Sequence, residues 1–261
     1  MKKNCNSYLI LRVILRLIVF IFPLILTACK SKGQTEVTET ELSLVASYPL
    51  LIDQPSGITI NQDNTAYWIV DGGSDKIVKT DLKGQVVQTL SYKGNDLEAV
   101  AYDKKDSTLW VVEEREREIV HLDQSGKELG RYKTKTPGTE NNGLEGIALD
   151  NSHNAYVINE KEPVAFFSLN KDFTELKKYT LDFADDISDI VYNDKADNYY
   201  ILSDESKALF IWSPQKGLEQ KYLLPFSKAE GITINTLNNR IIIVNDALNT
   251  LYEYEIRQVK K

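Results

Sequence analysis

Acidic side chains recur at two fixed positions in five similar segments of this chain. The two positions lie 14 to 16 residues apart in every copy. At the first position stand Ser56, Glu98, Glu145, Ser188 followed by Asp189, and Glu230. At the second stand Asp71, Glu113 with Glu114, Asn159 with Glu160, Asp204 with Glu205, and Asn245 with Asp246. Carboxylates gathered at low dielectric repel one another, so they must be protonated, paired with cations or bound to a metal.

Hard oxygen ligands without cysteine or convergent histidine select Ca²⁺ or Mg²⁺ over zinc or copper. The larger, irregular coordination of Ca²⁺ suits a site built from several segments, so we expect Ca²⁺, with Mg²⁺ as the alternative ion. The expected metal ligands are Glu98, Glu145 and Glu230 with some of Asp71, Glu114, Glu160, Asp204 and Asp246. A small ligand at the same place would meet Glu98, Glu145, Glu230, Asp189 and Arg115. For each Asp or Asn, the alternative to ligand binding is a hydrogen bond from its side chain to the backbone of its own turn. Glu is not a typical turn residue and is depleted in strands.

Other chemistries find less support in the sequence. The cations nearest to these acids, Arg115, Lys161 and Lys228, are too few to neutralise the whole set. His153 falls in a hairpin turn and His121 in a third strand, so a Ser-His-Asp or Cys-His mechanism is poorly supported. The chain has neither a glycine-rich phosphate loop nor an HExxH motif. An acid pair working with a metal-bound water stays open.

Each first position opens a short apolar strand, and each second position closes the strand that follows it through a polar turn. Because the two strands form an antiparallel hairpin, both positions open on the same face. The segments recur every 42 to 47 residues, and in the first four copies two further strands follow. Four antiparallel strands per repeat of this length are typical of a β-propeller blade. The sequence therefore predicts an all-β propeller of five blades, with six as the alternative, and an acidic ring at one mouth of its channel.

The fifth copy ends after its third strand. The segment from Leu42 to Leu50 resembles the outer strand of the fourth copy, from Leu218 to Phe226. We expect this N-terminal strand to complete the last blade, so that hydrogen bonds between the two chain ends close the ring and leave no long edge. The propeller domain then spans residues 42–257.

The beginning of the chain predicts an exported protein. Residues 1–28 contain four basic residues and no acid, and an apolar run extends from Leu17 to Leu26, which is typical of a secretory signal. Leu26-Thr27-Ala28-Cys29 resembles the bacterial lipobox, which implies cleavage before Cys29 and lipidation of its thiol. Residues 29–41 then form a polar tether, and the protein is a lipid-anchored component of the bacterial cell envelope, periplasmic or otherwise extracytoplasmic. A plain transmembrane anchor is the alternative.

The net charge bears on partners. It is −7 for the whole chain and −11 without residues 1–28. Nucleic acid is therefore not an expected partner, because its binding depends on Lys and Arg that neutralise phosphates. The expected partners are the membrane, through Cys29, and an envelope protein or a small ligand.

Six segments carry a resemblance to a known family: Ser56 to Ile58, Asn95 to Val100, Trp110 to Arg115, Gly143 to Ile147, Ile187 to Ile190 and Ala229 to Ile232. They resemble the YjiK family, also called the SdiA-regulated family, of exported bacterial β-propellers. The resemblance implies an envelope propeller, with calcium-associated and phytase-like roles suggested for some relatives. The chain departs from the pattern at Ser56 and Ser188, where the other three copies carry Glu.

Three functions follow in order of support. The first is a non-enzymatic, membrane-anchored propeller that binds Ca²⁺ or a small ligand at its acidic mouth and acts as an interaction module. The second is a Ca²⁺-dependent hydrolase, either a phytase-like phosphatase or a lactonase. A phosphatase would need several cations near the metal, and a lactonase a well-placed histidine. The third is a scaffold whose acids are protonated or paired with Arg115.

Overall fold

The computed structural model describes residues 40–136 and 143–258 of the protein. Within these ranges the chain forms twenty strands in five four-stranded antiparallel sheets, which are the blades of a β-propeller. This confirms the predicted five-bladed, all-β fold. In the same ranges no helix is long and apolar enough to cross a membrane. The expected signal peptide and the lipidated Cys29 lie outside the described residues.

The blades follow one another along the chain. Blade 1 contains β2 (Pro55–Ile60), β3 (Tyr67–Asp71), β4 (Lys76–Thr80) and β5 (Val86–Lys93). Blade 2 contains β6 (Leu97–Asp103), β7 (Thr108–Glu113), β8 (Glu118–Leu122) and β9 (Glu128–Lys133). Blade 3 contains β10 (Leu144–Leu149), β11 (Ala155–Asn159), β12 (Ala165–Leu169) and β13 (Glu175–Thr180). Blade 4 contains β14 (Asp189–Asn193), β15 (Asn198–Ser203), β16 (Ala208–Ser213) and β17 (Gly217–Leu223).

Blade 5 joins the two ends of the described chain. Its strands are β18 (Ala229–Asn235), β19 (Arg240–Asn245), β20 (Thr250–Gln258) and, in the outer place, β1 (Thr40–Pro49). The β1 strand runs antiparallel to β20, from Thr40 opposite Gln258 to Pro49 opposite Thr250. The predicted closure by the N-terminal strand is therefore confirmed, and β1 begins two residues before the expected domain boundary.

The backbone conformation of the turns between the first and second strands explains why polar residues are found there. Each of these five turns contains one residue with a positive φ, between 51° and 62°: Asn64, Ser107, His153, Asp197 and Asn239. Asn, Asp and His tolerate the left-handed region better than β-branched or bulky residues do. The repeat thus specifies its hairpins through local turn chemistry.

The hydrophobic core is divided among the five contacts between neighbouring blades. Trp68 and Val70 of blade 1, for example, pack with Leu109 and Val111 of blade 2 in one buried cluster, and four similar clusters fill the other blade interfaces. Strands rich in aromatic and β-branched residues suit such half-buried sheet faces. Because each blade packs on two neighbours, the ring holds the inner strands in fixed positions around the channel.

The inner strands of neighbouring blades approach one another closely in a layer around the channel axis. A Cβ atom added at Gly57 would lie 2.7 Å from the Ala99 Cα, and one added at Gly231 would lie 2.3 Å from the Ser56 carbonyl oxygen. In blade 4 the same layer carries Asp189, which is 3% exposed. Its carboxylate accepts a hydrogen bond from the backbone N–H of Ile232 in blade 5 at 2.8 Å, and the Ile58 N–H of blade 1 also contributes one. Asp189 thus reaches across the axis.

Candidate metal centre

One mouth of the channel, where the inner strands begin, holds a cavity of 340 Å³. We call it the acid mouth. The residues lining it are Gln54, Ser56, Gly72, Asp96, Glu98, Glu145, Glu160, Lys161, Asp186, Ser188, Asp204, Glu205, Lys228, Glu230 and Asp246. Nine of these lining residues carry a carboxylate and two carry an ammonium group. The convergence of the two acidic positions at one mouth follows from the hairpin geometry that the sequence predicts.

β-Bulges aim three of the glutamates into this mouth. In blade 2 the pairing of β6 with β7 passes directly from Leu97 to Ala99, which leaves Glu98 as the extra residue. Glu145 and Glu230 occupy the same extra place in blades 3 and 5. A bulge bends its strand and redirects a side chain that the regular pleat would place elsewhere. This explains why a residue type that strands disfavour recurs at one position of three blades.

The carboxylates come closest together between blades 2 and 3. They form two groups of three, one of Asp96, Glu98 and Glu114 and the other of Glu114, Glu145 and Glu160. In each group one oxygen of every member lies within 4.8 Å of one oxygen of the others. Such spacing allows one cation to touch three carboxylates, and the shared Glu114 joins the two groups into one set of five.

Glu114 is fixed in place by the neighbouring blade. It is buried, and its Oε1 accepts a hydrogen bond from the Gly143 N–H of blade 3 at 2.7 Å. Its neighbour Glu113 is engaged elsewhere, because Glu113 accepts hydrogen bonds from the Tyr92 hydroxyl at 2.7 Å and from Arg131 at 2.6 Å. Of these two adjacent acids, therefore, only Glu114 belongs to the acid mouth, while Glu113 ties the outer strands of blades 1 and 2 together.

The two lysines of the acid mouth form ion pairs with four of the carboxylates on the side formed by blades 3 to 5. Lys161 Nζ lies 3.2 Å from Glu160 and 2.7 Å from Glu205. Lys228 Nζ lies 3.3 Å from Asp204, which also accepts a hydrogen bond from the Lys228 backbone N–H. Here the acids have cations of their own, so an added metal ion would have to compete with them.

On the side formed by blade 2, Arg115 provides a cation at the edge of the acid mouth. Arg115 lies 3.3 Å from Asp96, but its side chain is 50% exposed. The half-buried Arg117 guanidinium donates to the Thr136 carbonyl at 3.1 Å and to Asn159 Oδ1 at 3.1 Å. Its charge is close enough to interact with the Glu114 carboxylate. Glu98 and Glu145, in blades 2 and 3, stand among like charges, and neither forms an ion pair within the described residues.

Burial and the crowding of carboxylates raise the pKa values of the three bulge glutamates. Burial raises the pKa of Glu98 to about 8, and the neighbouring carboxylates add to the effect. Burial also raises the pKa of Glu145 well above its usual range, with further contributions from Glu98 and Glu114. The pKa of Glu230 rises to about 7 for the same reason, although the positive charge of Lys228 favours the ionised form. At neutral pH the acid mouth therefore holds protons that a bound cation would displace.

Four of the candidate residues do not line this cavity: Asp71, Glu114, Arg115 and Asp189. Asp71 Oδ1 accepts a hydrogen bond from the Ser74 N–H at 3.2 Å. Asp71 thus bonds within its own turn, which is the alternative to metal binding that the sequence left open for Asp residues. Asp189 lies in the layer around the channel axis, where burial raises the pKa of its carboxyl well above its usual range. The other candidates for metal binding line the acid mouth or, like Glu114, contact its carboxylates.

The sequence argument missed two acids of the mouth, Asp96 and Asp186. Both stand two residues before the first acidic position of their repeats, at the place that Gln54, Gly143 and Lys228 occupy in the other blades. Asp186 accepts hydrogen bonds from the Ser203 hydroxyl and from the Glu205 N–H. A comparison of the five repeats two residues upstream of the first position would have found both acids.

Comparisons with known proteins agree with this architecture. The family model described as SdiA-regulated matches residues 37–246. The chain is similar in structure to a glutaminyl cyclase of Myxococcus xanthus, with a TM-score of 0.69 and 13% identity over 85% of this chain and 99% of that one. A streptogramin B lyase structure aligns with a TM-score of 0.52 and 17% identity over 85% of this chain and 74% of that one. No curated protein matches the sequence. At these identities the two structures show a shared propeller fold alone.

Proposed function

The chain belongs to the SdiA-regulated family, and from that membership and the geometry of the acid mouth we propose that it is a lipid-anchored propeller of the bacterial envelope that binds Ca²⁺ and serves as an interaction module. The observation that carries the calcium proposal is the pair of three-carboxylate groups that share Glu114. The proposed ligands are Asp96, Glu98, Glu114, Glu145 and Glu160. This set keeps four of the metal ligands expected from the sequence and adds Asp96.

The donor chemistry favours Ca²⁺ over other ions. All donors in this set are carboxylate oxygens, which hard divalent cations prefer. Ca²⁺ accepts six to eight oxygens in irregular geometry, whereas Mg²⁺ requires a near-ideal octahedron and keeps several waters. Five carboxylates from two blades, each able to bind through one or two oxygens, suit the more tolerant ion. A Ca²⁺ ion bridging Glu114 to the inner strands would also lower the repulsion that raises their pKa values.

Calcium titration of the purified protein by calorimetry tests this proposal. We expect wild type to bind Ca²⁺ more tightly than Mg²⁺, and Glu114→Gln to weaken Ca²⁺ binding by about tenfold or more. Glu175→Gln is the matched control, because Glu175 is exposed on the outer strand of blade 3 and should bind like wild type. Glu230→Gln should have a smaller effect than Glu114→Gln, since Glu230 has Lys228 as its cation. Absence of Ca²⁺ binding at millimolar concentration, or equal effects of all three variants, would refute the site.

The proposed anchor rests on the sequence alone. The lipobox-like Leu26-Thr27-Ala28-Cys29 is followed by a polar segment that ends where β1 begins, at Thr40. Two or more acyl chains on Cys29 would suffice for stable membrane attachment. We expect the protein expressed in a bacterial host to fractionate with membranes and to incorporate labelled palmitate, and Cys29→Ala to abolish the labelling. Labelling that survives this substitution would exclude Cys29 as the lipid site.

A Ca²⁺-dependent hydrolase is the second candidate, and one observation favours it. Glu98, with a pKa of about 8, shares a cavity with Glu230, whose pKa is about 7, and two carboxyl groups with different pKa values can act as general acid and general base. No histidine lines the acid mouth within the described residues. Hydrolysis of phosphate monoesters or lactones that requires Ca²⁺ and is lost in Glu98→Gln would favour this candidate. Ca²⁺ binding without such turnover would favour the binding module.

A further inference from the structure

A separate cavity of 350 Å³ lies between blades 3 and 4 and shares no lining residue with the acid mouth. No residue of an inner strand lines it. We call it the aromatic pocket, because four rings line it: Tyr156, Phe166 and Tyr179 of blade 3 and Tyr199 of blade 4. Its volume falls within the range of small-molecule sites, about 300–1,000 Å³, which are also lined mainly by apolar and aromatic side chains.

The rings of the aromatic pocket are held in place by their neighbours. The Tyr156 hydroxyl donates a hydrogen bond to Asp150 Oδ2 at 3.0 Å. The Tyr156 ring centroid lies 5.4 Å from that of Phe166 and 5.2 Å from that of Tyr199, and Tyr179 meets Phe166 edge to face at 5.9 Å. These are ordinary distances for aromatic pairs. Tyr156 and Tyr179 keep part of their surface exposed, so the pocket presents fixed aromatic walls.

The preceding blade interface covers the equivalent wall with a ring of the protein itself. Trp110 pairs with His121 across the sheet of blade 2, as Tyr156 pairs with Ser168 in blade 3. His121 lies flat on Trp110, with ring centroids 4.0 Å apart and an angle of 5° between the planes. Because Ser168 has no ring, blade 3 lacks the side chain that would cover Tyr156 in this way.

The turn of the following blade also leaves the aromatic pocket open. Phe173, in the turn between β12 and β13, packs between blades 2 and 3, at 5.1 Å from Trp110 and 4.4 Å from Tyr132. The corresponding turn of blade 4, residues 213–217, contains no aromatic residue. A Cβ atom added at Gly217 in this turn would meet no heavy atom within 4 Å. The aromatic pocket is therefore a space that side-chain rings fill in the preceding interface.

The lining of the aromatic pocket carries no net charge. Lys177 and Asp197 are its two charged residues, and both are exposed. The uncharged Asn154, Ser168 and Gln215 also line it. The balanced charges favour neither an anion nor a cation, while the amide and hydroxyl groups can form hydrogen bonds with polar substituents of a neutral ligand.

We propose that the aromatic pocket is a second ligand site, which takes a small neutral aromatic molecule. The ring of the ligand would pack against Tyr156 and Tyr179, as His121 and Phe173 pack against the equivalent wall of blade 2. Polar substituents would stay at the opening. This site goes beyond the proposed calcium function and uses none of its residues.

Indole is the probe that tests the proposal, and its binding to the full chain is followed by calorimetry and ligand-observed NMR. We expect wild type to bind indole equally well with Ca²⁺ and with a chelator. Ser168→His should weaken indole binding by about tenfold or more, because the added imidazole copies His121 and covers Tyr156. Thr89→His is the matched control, since it adds the same group at an exposed position of β5 and should bind like wild type.

A second variant keeps the test decisive if Ser168→His fails to fold, with circular dichroism as the check on folding. Tyr179→Leu retains an apolar wall but removes one ring, and it should weaken indole binding by about threefold or more. Methyl glucoside, whose ring is not aromatic, should bind more weakly than indole. The proposal is overturned by no indole binding to wild type at millimolar concentration, by tighter binding of methyl glucoside, or by unchanged indole affinity in the pocket variants that fold.

Discussion

The two mouths of this channel are built from the same five inner strands, yet they differ in how their polar groups are satisfied. At the acid mouth four inner strands begin with an irregular pairing, and in three of them the extra residue of a β-bulge is a glutamate. Several of these carboxylates have no cation within ion-pair distance among the described residues, and burial raises their pKa values. This mouth keeps polar groups that the fold itself does not need.

At the opposite mouth of the channel, which we call the histidine mouth because His153 lines it, hydrogen bonds join every neighbouring pair of blades. They connect Thr59 with Tyr102, Asp103 with His153, Asn151 with Asp194, Lys195 with Thr236, and Thr236 with Asn64. The inner strands end here without bulges, in regular hairpins. One repeat can thus join its blades through hydrogen bonds at one mouth and gather buried carboxylates at the other.

Removal of the closing strand should have the largest effect, because both mouths depend on an intact ring. A chain lacking residues 1–50 loses β1, which is paired with β20 along its length. We expect its melting temperature to fall by more than about 10 °C, or the chain not to fold, since blade 5 would then expose an unpaired inner edge and part of its core. Circular dichroism and calorimetry measure this.

The matched control is a chain that begins at residue 40. It retains β1 and should melt like the full-length protein. If the chain without residues 1–50 unfolds cooperatively at an unchanged temperature, then hydrogen bonds between the two chain ends do not hold the ring together.

Substitution of Asp189 should have the next largest effect, because this residue separates the two mouths. Asp189→Ala leaves the backbone N–H groups of Ile190 and Ile232 without their acceptor in a buried layer. Each buried donor that loses its partner costs about 1–3 kcal/mol, so we expect a loss of about 3 kcal/mol in the free energy of unfolding. Asp182→Ala, at an exposed position before the same strand, should cost less than about 0.5 kcal/mol. Equal unfolding energies for the two variants would show that Asp189 does not support the axis.

Much of this architecture could be predicted from the sequence, because it depends on local patterns. The five copies of an apolar strand, a polar turn and a second strand specify the blades. The match between Leu42 to Leu50 and the outer strand of the fourth repeat specifies the closure. Hairpin geometry then places both acidic positions at one mouth, since the ends of paired strands meet there. These steps need only the repeat and the alternation of side chains.

The parts that could not be predicted depend on contacts between blades. The bulges at Glu98, Glu145 and Glu230 follow from how the inner strands pack, and pairing in one hairpin does not reveal them. Asp189 was expected to face a ligand, but whether a carboxylate enters the mouth or crosses the axis depends on three blades at once. The distribution of charge is a further example: Lys161 and Lys228 both serve the same side, which their positions in the sequence do not indicate.

Rising pH should lower the free energy of unfolding through the buried carboxyl groups of the acid mouth. The pKa of Glu98 is raised from 4.5 to about 8, and that of Glu230 to about 7. Between the ordinary and the raised values the folded chain keeps protons that the unfolded chain has released, so the free energy of unfolding falls as pH rises. We expect the melting temperature, measured with a chelator present, to fall by a few degrees between about pH 5 and about pH 9.

The double variant Glu98→Gln and Glu230→Gln should reduce this decline, since neither position can then ionise, whereas Glu145 and Asp189, whose pKa values burial also raises, continue to contribute. Added Ca²⁺ should also reduce it in wild type, because the metal favours the ionised carboxylates. A melting temperature that stays constant or rises over this pH range would mean that burial does not raise the pKa values of the crowded carboxyl groups.

The smallest effects should also be the most informative, because neutralising one acid at each mouth is expected to act with opposite signs. At about pH 8.5, Glu98→Gln removes a repulsive charge and should stabilise the metal-free protein by about 1 kcal/mol. Asp103→Asn should destabilise it by about 1 kcal/mol, because Asp103 accepts from both His153 and the Lys105 N–H, and an amide offers only one oxygen. Chemical denaturation of both variants beside wild type gives the two values. If both substitutions change the free energy of unfolding with the same sign, the acids of the two mouths do not differ in their effect on stability. Opposite signs would support an acid mouth whose carboxylates destabilise the metal-free fold and a histidine mouth whose acids stabilise the ring.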